Sequence, residues 1–152
     1  MNKLVIFDLD GVLIESRELH YDALNAALEK VSPQYVITKE EHLSVFDGLN
    51  TTRKLEMLAE HKGLEQKYFN QIWHDKQLAT FSLIKDIPYN EKLRNMFSYI
   101  SSLGIKIAVA SNSIRESVKI TLLKLGFLEY IDFYLSNEEL HKKYNELTTK
   151  LN

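Results

Sequence analysis

The sequence predicts an α/β fold, a doubly wound, Rossmann-like parallel sheet that carries an inserted all-helical cap. Three observations predict it. A short apolar run lies near the N-terminus, a second lies about a hundred residues later, and residues between them have mostly helical spacing. Such runs are typical of strands buried in parallel sheets, and their alternation with helices is typical of α/β architectures.

The first strand is predicted at Leu4–Phe7, a continuous apolar run that we expect to be buried on both faces. Asp8, Asp10 and Gly11 follow it at the carboxyl end, where open α/β sheets bind ligands. Two acids two residues apart on an extended chain point the same way and tend to need a cation. The glycine allows backbone amides to approach an anion. The alternative interpretation is an acidic turn, because Asp-Gly is a common turn dipeptide.

Residues 16–84 are predicted to form the helical cap. A first helix starts near Ser16, a plausible N-cap, and carries apolar residues on one face. Thr38–Glu41 has the pattern of a capping box and opens a short helix to about residue 46. Two further helices are predicted, one from Thr51 to Gly63 and one from Glu65 to about residue 83.

Strand and helix alternate again from residue 85. Asn90 is predicted to cap a helix that ends near residue 103, and Ile105–Ala110 is the second buried strand. A helix ending at Gly126, a third strand at Ile131–Leu135 and a polar helix from residue 137 to about 150 complete the pattern. The predicted domains are therefore residues 1–15 with 85–152 for the core, and 16–84 for the cap.

Ser111 and Asn112 follow the second strand as Asp8 follows the first. If the two strands are neighbours in a parallel sheet, these side chains meet the two acids at one edge. A hydroxyl, a side-chain amide and the amides of a helix N-terminus together form an anion site. The alternative interpretation is that Ser-Asn-Ser is simply a good N-cap.

Composition excludes several functional classes. The 152 residues carry a formal charge of −2 without a block of like charge, so nothing suggests a nucleic-acid or membrane surface. The absence of cysteine excludes disulfides, thiol catalysis and zinc-thiolate sites. Neither a signal-peptide pattern nor a spanning stretch is present, so we expect a cytoplasmic protein.

Two motifs resemble those of the haloacid dehalogenase-like (HAD) superfamily with a helical cap, in the subgroup of β-phosphoglucomutase and phosphoglycolate phosphatase. Residues 8–13, Asp-Leu-Asp-Gly-Val-Leu, resemble the first motif, and residues 110–113, Ala-Ser-Asn-Ser, resemble the second. Glu15-Ser16 with His20 is similar to the entry to the cap. Residues 46–53, Phe-Asp-Gly-Leu-Asn-Thr-Thr-Arg, resemble the substrate-facing glycine loop of the cap.

The resemblance implies a magnesium-dependent phosphatase that acts on a small phosphorylated metabolite through an aspartyl-phosphate. Asp8 is then the nucleophile, and Asp10 the general acid and base. The Asp8 carboxylate and the backbone carbonyl of Asp10 would hold Mg²⁺. Gly11, Ser111 and Asn112 would bind the phosphoryl group.

From the cap, the resemblance implies substrate contacts by His20, Thr52 and Arg53. The alternative for Thr52 and Arg53 is that they merely form the first turn of a helix. Phosphomutase activity is the nearest alternative to hydrolysis, and the motifs do not separate the two reactions.

The sequence departs from the family pattern near its C-terminus. Ser136–Glu139 resembles the approach to the third motif, and Lys142 or Lys143 could supply its phosphate-binding lysine, with Lys143 assigned here. Either could instead be a surface lysine. The acidic pair of the fourth motif is not found, so the core is expected to be incomplete at its C-terminus. Two alternatives to an active isolated chain follow. The chain could be a truncated, non-catalytic phosphate-binding relative, or it could form half of a site that a partner chain or a second copy completes.

Overall fold

The computed structural model describes residues 3–139. Within them three strands form one parallel sheet in the order β1-β2-β3, with β1 at Leu4–Asp8, β2 at Lys106–Ala110 and β3 at Phe133–Leu135. The α-helices are α1 Arg17–Glu29, α2 Lys39–Glu41, α3 Thr51–Lys62, α4 Phe69–Ile84, α5 Glu91–Ser102 and α6 Arg115–Leu125. The predicted parallel α/β architecture with a helical insertion is confirmed.

The chain divides into two compact units. The sheet unit contains the described parts of Met1–Glu15 and Ile87–Asn152, and the helical unit is Ser16–Asp86. These boundaries lie close to the expected ones, and the assignment of the units as catalytic core and substrate-binding cap stays a prediction. None of the helices in residues 3–139 is both long and apolar enough to cross a membrane.

The expectation that β1 is buried on both faces is wrong. Leu4 is 51% exposed and Ile6 59% exposed, whereas Val5 and Phe7 on the opposite face are half-buried. In the described part of the sheet β1 pairs only with β2, so it is an edge strand. The strand that is buried on both faces is the central strand β2, in which Ile107, Ala108 and Val109 are all buried. Completion of the sheet by a partner chain or a second copy stays a prediction.

One apolar cluster holds the helices of the sheet unit against the sheet. Phe97 of α5 stacks on Phe127 at 4.3 Å between ring centroids and meets the edge of Phe7 of β1 at 5.1 Å. Val109 of β2 and Leu122 of α6 are fully buried in the same cluster. Asn90 caps α5 as predicted, because its Oδ1 accepts a hydrogen bond from the Leu93 N–H at 3.0 Å.

The helical unit has its own core. Helix α1 packs on α4, and the buried side chains at the centre of the unit are Leu24, Leu28, Leu55, Leu58 and Ile72. The predicted capping box is confirmed, since Thr38 and Glu41 exchange side-chain and backbone hydrogen bonds. Ser16 precedes α1 but its side chain makes no capping bond to the helix, contrary to expectation. Trp73 is 39% exposed and therefore does not lie in this core.

A buried histidine lies in the helical unit, in the π-helical turn His42–Phe46 that follows α2. His42 is 3% exposed, and both of its ring nitrogens are buried. Its ring lies 5.4 Å from that of Tyr21. Burial, together with the positive charge of Lys54, lowers the pKa of His42.

Candidate active site

The carboxyl ends of β1 and β2 bring the two sequence motifs together. Asp8, the last residue of β1, is the register partner of Ala110, and the Leu9 N–H donates to the Ala110 carbonyl at 3.2 Å. Ser111 follows directly, so the two motifs lie side by side at one edge of the sheet. Asp8 is exposed there, as a nucleophile must be. The predicted juxtaposition of the motifs is confirmed.

A buried hydroxyl joins the motifs. Ser111 Oγ donates to Asp10 Oδ2 at 2.8 Å, a contact between residues 101 positions apart. The same oxygen accepts the Ser113 N–H at 3.0 Å, and the Ser111 N–H donates to the Leu135 carbonyl at 3.0 Å. Ser111 is 3% exposed. Both of its donors are therefore engaged within the protein, and a bound phosphoryl group would have to replace Asp10 as the acceptor of its O–H.

Gly11 closes a tight turn after the first acid pair. Its φ is +78°, in the left-handed region that favours glycine, and its N–H donates to the Ile14 carbonyl at 2.7 Å. The positive φ agrees with expectation, but this amide is already bonded in the turn. Gly11 could therefore help to bind phosphate only by shaping the loop, or after breaking that bond.

The alternative interpretation of Ser-Asn-Ser as an N-cap is wrong. The N-cap residue of α6 is Ile114, which cannot accept a hydrogen bond through its side chain. Instead, Glu138 Oε1 accepts the Arg115 N–H at 3.2 Å, so a carboxylate from the segment after β3 caps this helix. Asn112, which follows Ser111 in the sequence, is exposed.

The sequence relates Ser136–Glu139 to the approach to the third motif, but it does not reveal that Arg115 of α6 contacts this segment. Arg115 Nη1 donates to Glu139 Oε1 at 2.5 Å, beside the loop that contains Ser111. A signal was present in the sequence, because Ser136 and Glu139 have the S-x-x-E spacing of a capping box. The arginine that meets this box lies on α6, and only the folded sheet brings the two together.

The donor set at the sheet edge suits a hard cation. Asp8 and Asp10 offer oxygen ligands, and Mg²⁺ is commonly held by one or two carboxylates while it retains several waters. Among residues 3–139 there is no group of three or more His, Asp or Glu side chains placed to hold a metal. The fit to Mg²⁺ therefore rests on Asp8 and Asp10 alone, with water expected to fill the other coordination positions.

The three cap residues assigned to the substrate all lie in the helical unit. His20 is half-buried on α1, and Thr52 is exposed on α3. Arg53 Nη1 donates to Glu56 Oε2 at 3.0 Å and lies 4.0 Å from Glu60 Oε1, so it is paired along its own helix. Lys54, by contrast, is only 6% exposed. Lys142 and Lys143 lie outside the described residues, so the assignment of Lys143 to phosphate stays a prediction.

Comparison with known proteins places these motifs in a family. A family model described as haloacid dehalogenase-like hydrolase matches residues 5–151. The phosphorylated carbohydrates phosphatase of Thermotoga maritima is 25% identical over 139 residues, covering 90% of this chain and 62% of that protein. The β-phosphoglucomutase of Bacillus subtilis is 30% identical over 139 residues, covering 87% of this chain and 58% of that protein.

Solved structures share the fold. CbbY from Rhodobacter sphaeroides in complex with xylulose-(1,5)bisphosphate matches with a TM-score of 0.77 at 19% identity, over 90% of this chain and 64% of that one. A predicted phosphoglycolate phosphatase from Haemophilus somnus matches with a TM-score of 0.74 at 19% identity, over 89% and 62%. The chain therefore spans about three fifths of the length of the curated relatives it matches. Because the family model covers nearly all of the sequence and the first two motifs meet at one sheet edge, the chain belongs to the haloacid dehalogenase-like hydrolase family.

Proposed function

We propose that this chain carries the nucleophile and phosphate-binding loop of a magnesium-dependent phosphatase for a small phosphate ester. The observation that carries the proposal is the 2.8 Å hydrogen bond from Ser111 to Asp10. It brings a phosphate-binding segment against an acid pair at the carboxyl end of a parallel sheet, where α/β folds bind ligands. The names of the curated relatives, a phosphatase of phosphorylated carbohydrates and a phosphoglucomutase, support a phosphorylated sugar as substrate.

In the first step an Asp8 carboxylate oxygen attacks the phosphorus atom. The bond from phosphorus to the ester oxygen breaks, and a proton from Asp10 passes to the departing alkoxide. The products are an alcohol and an acyl-phosphate on Asp8. As the phosphoryl group enters, the Ser111 O–H would turn from Asp10 to a phosphoryl oxygen, which releases the Asp10 carboxyl group for proton transfer.

In the second step water attacks the same phosphorus atom. Asp10 takes a proton from that water, the bond between Asp8 and phosphorus breaks, and inorganic phosphate leaves with Asp8 restored as a carboxylate. The exposed position of Asp8 at the end of β1 allows both ester and water to reach it. The two steps use one carboxyl group as nucleophile and the other as a proton shuttle.

Approach of a phosphate dianion to Asp8 is opposed by charge. Two unit negative charges about 4 Å apart repel by about 4 kcal/mol at an effective dielectric constant near 20. Mg²⁺ bound by the Asp8 carboxylate and the Asp10 carbonyl would neutralise much of this charge. Helix α6 begins close by, and its N-terminus favours negative charge.

The test is phosphate release from a panel of sugar phosphates, phosphoglycolate and nucleotides with magnesium. Asp8→Asn removes the nucleophile and is expected to lower kcat by on the order of 10³-fold or more. Asp22→Asn is the matched control, because Asp22 is an exposed acid on α1. Equal turnover by Asp8→Asn and the unsubstituted chain would rule out the mechanism.

The product distinguishes the alternative activities. The 30% identity to a β-phosphoglucomutase favours phosphomutase as the second candidate. A mutase returns an isomerised sugar phosphate with little free phosphate, whereas a phosphatase releases one phosphate for each ester consumed. Phosphate binding without either product would instead support the non-catalytic alternative.

A further inference from the structure

Two loops at the edge of the sheet are bonded to each other. The site loop, residues 111–113, follows β2. The acidic loop, residues 136–139, follows β3 and enters a helical turn at residue 137. The Asn137 N–H donates to the Ser113 carbonyl at 3.1 Å. The site loop is thus supported from the side opposite to Asp10.

An arginine strengthens this connection. Arg115, the first residue of α6, donates from its Nη1 to Glu139 Oε1 at 2.5 Å, and its guanidinium lies 4.5 Å from the centre of the Tyr134 ring. Its backbone N–H donates to Glu138 Oε1 at 3.2 Å. Both acids of the acidic loop therefore accept hydrogen bonds from Arg115, which lies two positions after the site loop.

Glu139 also closes its own loop. Its Oε2 accepts hydrogen bonds from the Ser136 N–H at 2.7 Å and from the Ser136 hydroxyl at 2.5 Å. These bonds, with that from Arg115, lower the pKa of Glu139 to about 2. The carboxylate is consequently charged throughout the neutral pH range, and its connection to Arg115 does not open near pH 7.

We propose that Glu139 and Arg115 are positioning residues that hold the site loop in the conformation that binds phosphate. The inference rests on the proposed function only in taking residues 111–113 as the phosphate-binding segment. Neither residue is placed in contact with the reacting atoms. The chain of bonds runs from Glu139 through Arg115 to the start of α6, and through Asn137 to Ser113.

Simple electrostatics makes the opposite prediction for one variant. Glu139→Gln removes a negative charge near an anion site, so a purely Coulombic effect would strengthen phosphate binding. Loss of positioning would weaken it, because the amide loses the charge-assisted bonds to Arg115 and Ser136. The sign of the change in Kd therefore separates the two explanations.

The chain contains a matched control ion pair. Arg94 Nη2 donates to Glu129 Oε1 at 2.6 Å, and the Arg94 guanidinium lies 5.3 Å from the centre of the Tyr130 ring. This pair repeats the arginine, glutamate and tyrosine of the first pair in the same unit, but it joins α5 to the turn Leu128–Tyr130. Glu129→Gln thus makes the same chemical change outside the two loops.

The experiment titrates the 152-residue chain with inorganic phosphate while the amide resonances of residues 111–113 are followed by NMR. Glu139→Gln is expected to raise the Kd for phosphate about tenfold, the loss expected for about one charge-assisted hydrogen bond. Glu129→Gln should change it by less than about twofold. Where turnover is measurable, Glu139→Gln should raise KM and leave kcat within about twofold, since the chemistry at Asp8 is untouched.

Unchanged or tighter phosphate binding by Glu139→Gln would overturn the inference, as would an equal loss in Glu129→Gln. If Glu139→Gln does not fold, Arg115→Lys keeps the charge but removes the fork of donors, and the same rise in Kd is expected. Phosphate binding at these amides without turnover would contradict the proposed function, but the effect of Glu139→Gln on the Kd would still test the positioning role. Failure of the unsubstituted chain to bind phosphate at these amides would overturn the positioning role itself.

Discussion

The two units hold their predicted site residues in opposite ways. In the sheet unit, Ser111 reaches Asp10 across 101 residues of sequence and is almost completely buried. In the helical unit, Arg53 bonds Glu56 three residues along the same helix, and Thr52 is exposed. The first arrangement requires the folded sheet, whereas the second could exist in an isolated helix. Substitution of Ser111 should therefore affect stability and function together, whereas substitution of Thr52 or Arg53 should affect function alone.

The largest expected effect on stability compares two helix-ending glycines, one in each unit. Gly63 after α3 and Gly126 after α6 have φ of +68° and +86°. An alanine there is strained by about 1–2 kcal/mol. A Cβ at Gly126 would also lie 2.0 Å from a carbon of the Tyr89 ring, whereas at Gly63 it would meet nothing within 4 Å. Gly126→Ala should therefore lower the free energy of unfolding by about 1 kcal/mol more than Gly63→Ala.

Urea denaturation followed by circular dichroism measures both glycine variants. Tyr89 is 58% exposed and its ring can rotate away at some cost. Equal losses in the free energy of unfolding for the two variants would mean that the Tyr89 ring moves away without cost, and would contradict the prediction.

The next effect compares two buried serines of the sheet unit. Ser111→Ala removes hydrogen bonds to Asp10 and Ser113 and should lower the free energy of unfolding by about 1–2 kcal/mol. Ser117 is equally buried, at 3% exposure, but its hydroxyl has no partner in the part of the chain that the structure describes. Ser117→Ala should therefore change stability by less than about 0.5 kcal/mol. The same denaturation experiment tests both variants. Equal losses in the free energy of unfolding would show that the cost of replacing a buried serine depends on its burial and not on its hydrogen bonds.

A smaller, pH-dependent effect is expected in the helical unit. Burial lowers the pKa of His42 below its value in the unfolded chain, about 6.5. The contribution of the neutral His42 to the free energy of unfolding is thus fully present above pH 6.5. It is lost as the pH falls below 6.5, by less than about 1.4 kcal/mol per pH unit. Fluorescence of Trp73, the only tryptophan, reports unfolding of this unit.

His42→Gln should flatten the dependence of stability on pH below about 6.5. His61→Gln is the matched control, because His61 is exposed on α3. The Asp47 carboxylate acts on His42 in the opposite direction to Lys54. An identical pH profile for the two variants would show that His42 accepts a proton in the folded chain without cost.

The smallest effect on stability is expected for Arg53→Ala. Loss of the exposed bonds to Glu56 and Glu60 should cost no more than about 0.5 kcal/mol. If Arg53 contacts the substrate, KM should nevertheless rise several-fold. Lys67→Ala is the control, since it removes an exposed pair with Glu65 at 2.8 Å. An unchanged KM in Arg53→Ala would show that Arg53 does not contact the substrate.

Local signals in the sequence predicted much of the fold. The Thr38–Glu41 capping box, the Asn90 cap and the glycines that end α3 and α6 are all short-range patterns, and the structure contains each of them. The pairing of β1 with β2 was also predicted, because polar residues follow both apolar runs. These features depend on residues a few positions apart or on the general geometry of parallel sheets.

Features that depend on distant neighbours were not predicted. The exposure of Leu4 and Ile6 follows from the edge position of β1, which an apolar run does not reveal. Capping of α6 by Glu138, from the loop after the next strand, follows from tertiary contact alone. The sequence therefore predicted that Asp8, Asp10 and Ser111 lie in the site. It did not predict that Arg115 would bond the acids of the acidic loop.

The edge position of β1 has a consequence for biosynthesis. β1 is translated before the helical unit, yet the strand with which it pairs begins at Lys106, after the whole helical unit has been translated. At about 5–20 residues per second, the interval lasts on the order of 5–20 s. The helical unit can form from its own contacts during that time, while Leu4 and Ile6 wait without a strand partner. β1 can therefore join the sheet only after the helical unit has been translated, and until then its apolar residues are open to pairing with other chains.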